Sequence, residues 1–155
     1  MIRFAPILLI LAATPALSEI VPRDGTWQPK SRETELAPTC PPFAAGMAEM
    51  MAAGFDADQP MEIAWNGRFD PNLMSIAKDD SDSLDWTRQP DDSWVAAVPG
   101  MPAGAFEVTM AALSPVLIES RVFMDIEALM KAEGEVMPGM AGCTLAIEMT
   151  MEHAG

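Results

Sequence analysis

Near its end the chain turns apolar at every second residue. Cys143, Leu145, Ile147, Met149 and Met151 alternate with Thr144, Ala146, Glu148, Thr150 and Glu152, and His153 continues the apolar series. A β-strand sends successive side chains to opposite faces. The pattern therefore predicts a long strand with one face on a core. Its first stripe residue, Cys143, has a single possible partner in the chain, Cys40, more than a hundred positions earlier. Redox motifs usually hold two cysteines in a C-x-x-C turn, so this isolated pair predicts one disulfide tying the start of the domain to its last strand. Two free thiols serving metal or redox chemistry are the alternative.

The same period of two recurs upstream. Phe106, Val108 and Met110 face one way, with Glu107 and Thr109 opposite. Val116, Ile118, Ser120, Val122, Met124 and Ile126 share a face, with Glu119, Arg121 and Asp125 behind them. Shorter runs at residues 84–88 and 93–98 flank Gln89-Pro90-Asp91-Asp92, a turn signal. Met61, Ile63 and Trp65 alternate just before Asn66-Gly67, the dipeptide of a tight hairpin. Pro71 limits the second arm of that hairpin. Residues 127–134 fit either a helical turn or a continued strand.

One segment has a different period. Residues 42–54, PFAAGMAEMMAAG, are strong helix formers between Pro42 and Gly54. Phe43, Met47, Met50 and Met51 recur at spacings of three and four, which predicts the core-facing stripe of a largely covered helix. Residues 19–41 carry Pro22, Pro29, Pro38 and Pro41 and are expected to form an extended lead-in pinned at Cys40, with no long regular element and at most a short strand starting at Trp27 after the turn signal Asp24-Gly25-Thr26. The sum is an α+β domain over residues 42–155. It is predominantly an antiparallel β meander, a small open barrel or curved sheet, with one packed helix near the start of the mature chain.

The first 18 residues set the compartment. Arg3 precedes an apolar run at residues 4–13, and Ala16-Leu17-Ser18 supplies small residues before Glu19. This is the layout of a bacterial secretory signal peptide. The run is shorter than the about 20 apolar residues that cross roughly 30 Å of hydrocarbon. Cleavage after Ser18 is expected to deliver a periplasmic or secreted protein. Without Arg3, 23 acidic residues face 8 basic ones, a net charge of −15. Such a charge repels nucleic acid and anionic lipid and favours solubility.

Catalytic signatures are missing from the sequence. The single histidine is His153, and no G-x-S-x-G, P-loop, dinucleotide fingerprint or H-E-x-x-H is present. The acidic run at residues 79–85 fails as a calcium loop. Leu84 falls on the third ligand position, Asp85 where the turn needs Gly, and Asp91 rather than Glu stands at the twelfth.

Methionine supplies the one candidate metal chemistry. The chain has 14, and thioethers select Cu(I). Met149-x-Met151-x-His153 resembles the strand end of periplasmic copper carriers, which hold the ion with a Met-x-Met pair and a histidine. That resemblance covers five residues and implies copper at Met149, Met151 and His153; apart from it, Met137 and Met140 of the preceding loop are available as added ligands. The competing expectation follows from parity: Met149 and Met151 extend the face of Leu145 and Ile147 as core fillers, and His153 frays near the end. Trp65, Trp86 and Trp94 lie on expected strands, in or beside the core. The function expected from these residues is that of an exported binding or envelope-accessory protein without catalytic activity. Its partner would be a small apolar ligand under the helix or another envelope protein.

Overall fold

A computed structural model describes residues 19–54, 60–74, 84–135 and 137–155. Among the described residues seven strands form one antiparallel sheet that curls into a half-barrel. Five of them make the expected meander: β3 (Asp85–Arg88), β4 (Trp94–Ala97), β5 (Phe106–Ser114), β6 (Leu117–Asp125) and β7 (Thr144–His153). The chain's first strand, β1 (Gly25–Leu36), lies beside β7, and β2 (Met61–Ile63) pairs with the start of β1. The spatial order is β2-β1-β7-β6-β5-β4-β3. Helix α1 (Ala44–Gly54) follows β1, and α2 (Ile126–Ala132) follows β6.

Parity survives in the register. Leu145, Ile147 and Met151 are buried on one face of β7, opposite Met124, Val122 and Ile118 of β6. The other face of the sheet is polar, with Glu33, Glu35, Glu119, Glu148 and Glu152 exposed. Exposed pairs such as Lys30–Glu152 and Arg121–Glu148 stand on it and add little stability. The apolar face carries two clusters. One gathers Ala44, Ala48 and Ala52 of α1 with Val108, Val122, Met124, Met140, Cys143, Leu145 and Ile147. The second gathers Trp27, Ile63, Trp65, Phe69, Met74, Met110, Ile118 and Met151.

Three expectations are corrected. The first is the lead-in over residues 19–41, most of which is the 12-residue strand β1. Its prolines bracket the ladder instead of breaking it. Pro22, Pro38 and Pro41 lie outside the strand, and at Pro29 the register shifts so that Ser31 resumes the pairing. A bulge tolerates a residue without an N–H.

The second concerns the exposed side of α1. The helix forms where expected, and Met51 of the expected stripe packs half-buried against the core, but Ala44, Ala48 and Ala52 face the sheet, while Phe43 is 50% and Met50 76% exposed. The Cys40 link to buried Cys143 brings the chain onto the sheet just ahead of the helix. A methyl-lined face then permits closer approach than a Phe/Met face. Spacing of three and four located the helix but did not choose between two stripes of the same period.

The third is the hairpin at Asn66-Gly67. Both residues have positive φ, 55° and 80°, and Arg68 N–H donates to Trp65 O, so the tight turn is real. Its second arm does not pair as a strand. Asp24 Oδ1 accepts from the N–H groups of Trp65 (2.6 Å) and Asn66 (3.2 Å), which pins the turn to the start of β1. Asp70 then caps a single 3-10 turn, Pro71–Leu73. The open question at residues 127–134 resolves as helix: Asp125 Oδ1 accepts from Ala128 N–H as the N-cap of α2. No described helix is long and apolar enough to cross a membrane.

Candidate functional site

After the bulge at Pro29, β1 alternates again. Arg32, Thr34 and Leu36 stand opposite Met149, Ile147 and Leu145 of β7, whereas Glu33 and Glu35 project to the polar face. Helix α1 passes along this stretch. Between the two runs a groove of about 310 Å³, lined by Arg32, Thr34 and Leu36 from β1 and Ala45, Ala48, Glu49 and Ala52 from α1. Its volume lies at the small end of ligand sites.

The groove has an apolar floor and two polar walls. Leu36 and the alanine methyls offer carbon surface. The Arg32 guanidinium reaches the last turn of the helix, where Nη1 donates to Ala52 O at 2.8 Å. A cation there is favoured by the partial negative charge of a helix C-terminus. Glu49 supplies a carboxylate from the helix side. Thr34 carries the single hydroxyl among the lining residues, and no histidine or cysteine joins it. Such a wall can bind and orient a small molecule.

Carboxylates with displaced pKa lie elsewhere. Asp91 is held below the usual range by hydrogen bonds from the Ser93 hydroxyl and backbone N–H, at the β3–β4 turn. Glu127 is lowered by Lys131 and by the Gly142 N–H. Asp91 owes its shift to a local turn, and Glu127 to its i,i+4 partner on α2 together with the loop that leads into β7.

No protein-family model, curated protein or solved structure matches the chain significantly.

The residues singled out in the sequence have definite places. Cys40 and Cys143 form a disulfide with Cα atoms 4.5 Å apart, so neither is a free thiol. Met149 packs against the cluster under α1, whereas Met151 is buried in the tryptophan cluster. His153 is not frayed: it pairs with Trp27 across β1 and β7. Its ring lies edge-on to Trp27 at 5.5 Å. Nε2 is 2.9 Å from Asp24 O, and Nδ1 accepts from Gly155 N–H. Met140 is buried with Cys143, and Met137 is exposed. Among the described residues no group of three or more His, Cys, Asp or Glu side chains gathers as a metal site. Residues 79–83 of the acidic run lie outside the described residues, and Asp85 is exposed on β3.

The groove residues Arg32, Thr34 and Leu36 were missed because they belong to the expected lead-in. A signal was present: R-E-T-E-L alternates with period two once Pro29 is passed.

Proposed function

We propose that this chain is an exported binding or envelope-accessory protein that works without catalysis and holds a small, mainly apolar ligand between α1 and β1. The observation that carries the reading is the groove of about 310 Å³, with its carbon floor and one cation and one carboxylate at its walls. The leader at residues 1–18 and the single disulfide are in keeping with an oxidising compartment. The acidic surface favours solubility there and selects against nucleic acid.

Ala45 is exposed at the groove, so Ala45→Trp fills the space from its rim and leaves the core alone. The uncharged fluorophore N-phenyl-1-naphthylamine is expected to bind saturably with rising emission. Ala45→Trp should weaken that binding at least about tenfold while stability stays within about 0.5 kcal/mol. Absent saturation, or equal affinity in the variant, refutes the groove as a ligand site. Export has its own check. The mass of the protein recovered from a bacterial periplasm should correspond to a chain beginning at Glu19, and an intact Met1 start would overturn it.

A further inference from the structure

Strand β1 has an open edge beside the groove. Strand β2 pairs with it only over Gly25–Trp27, while β7 pairs along its other side as far as Leu36. The register fixes which backbone groups face outward. Ala37 N–H donates to Thr144 O. Bonded and non-bonded positions alternate along an antiparallel ladder, so beyond the bulge at Pro29 it is Glu33 and Glu35 that bond to β7. Thr34 and Leu36 aim their N–H and C=O groups away from β7, and those groups have no partner among the described residues. The side chains of the same two residues line the groove, together with Ala45, Ala48 and Glu49 of α1. No residue of β7 lines it, so the groove lies on the β1 side of the helix. Backbone donors, backbone acceptors and a carbon-floored groove therefore share one margin of the sheet.

The chemistry of an occupant follows from the two faces of the strand. An extended peptide added at a sheet edge bonds through its backbone and sends alternate side chains to opposite faces. Residues opposite Thr34 and Leu36 meet the carbon floor of Leu36, Ala45 and Ala48. Their neighbours stand beside Glu33 and Glu35, which are exposed on the polar face. Opposite charges are favoured at such cross-strand positions and like charges are disfavoured. A second copy of this chain fits badly, because pairing through the same edge sets Glu33 and Glu35 against each other. The net charge of −14 acts in the same direction. We propose that the β1–α1 groove takes an extended cationic peptide, apolar and basic at alternate residues, which adds antiparallel to β1 at Thr34 and Leu36 and continues the edge that β2 begins. This rests on the groove being a ligand site and names the class of ligand.

The probe is a fluorescently labelled peptide, acetyl-Lys-Val-Lys-Val-Lys-amide, with the full-length disulfide-bonded protein at physiological salt. In antiparallel pairing its valines stand opposite Thr34 and Leu36 and exchange backbone bonds with them, while the N–H of the central lysine points away. The parent peptide is expected to bind saturably. N-methylation of both valines removes two donors and should weaken binding at least about tenfold. N-methylation of the central lysine should leave affinity within about threefold. A Glu-Val-Glu-Val-Glu peptide should bind more weakly than the parent. Saturating parent peptide should also slow amide hydrogen exchange at Thr34 and Leu36 at least about tenfold. Equal affinity of the two methylated peptides, as attraction by charge alone would give, overturns the proposal. So does exchange at Thr34 and Leu36 that ignores the peptide. The dye N-phenyl-1-naphthylamine keeps the two readings apart. Dye binding that is lost in Ala45→Trp, without peptide binding, overturns the peptide and leaves the groove as a ligand site. Failure of both probes removes the groove as well.

Discussion

Reduction of the Cys40–Cys143 bond is expected to cost about 4 kcal/mol of stability. The bond joins residues 103 positions apart, so it removes a large share of the unfolded chain's freedom, worth about 4–5 kcal/mol in the loop-entropy model and often less in practice. It also acts on the folded side. Cys143 is wholly buried and Cys40 packs against the same cluster, where the link holds the entry to α1 against β7. Urea unfolding with and without a phosphine reductant measures the loss, and Cys40→Ala/Cys143→Ala repeats it without reductant. A change under about 1 kcal/mol would show that the bond is ornamental to a sheet that holds itself. A large loss would make the fold depend on oxidising conditions.

Trp27→Ala is the point substitution with the largest expected effect, also about 4 kcal/mol. The indole is fully buried and lies between the edge of Trp65 and the ring of His153. Its N–H ties the strand back to Arg23 O. It stands where β2, β1 and β7 meet, opposite Met61 on one side and His153 on the other. Removing it opens a cavity at the junction of three strands and orphans a carbonyl. Trp27→Phe keeps most of the carbon and should cost clearly less. Thermal or urea unfolding of the pair is decisive. If Trp27→Ala falls within about 0.5 kcal/mol of the parent, as a surface change would, the tryptophan cluster contributes no core.

Much of the meander is legible from residue parity alone. In β7 the odd residues Leu145, Ile147 and Met151 lead straight to the buried face, with Met149 partly buried among them, because a strand's period is fixed by backbone geometry. The helix at α1 is legible as a helix, but its orientation is not. Phe43, Met47 and Met50 form one stripe and Ala44, Ala48 and Ala52 another, and hydrophobicity ranks them in the wrong order. Close approach to the sheet decided it, and that is a tertiary constraint. Strand β1 was hidden by Pro29, whose cost depends on whether it meets a ladder or a bulge. The groove inherited that blindness, since half of it comes from β1.

The neighbourhood of β1 and β7 bears on how the chain reaches this state. Trp27 pairs with His153 and Leu36 with Leu145, so the earliest of the described strands completes its ladder with the latest of them. Such a topology has high contact order, and long-range pairing of this kind is slow. A chain emerging from the ribosome holds β1 without its principal neighbour until β7 is synthesised.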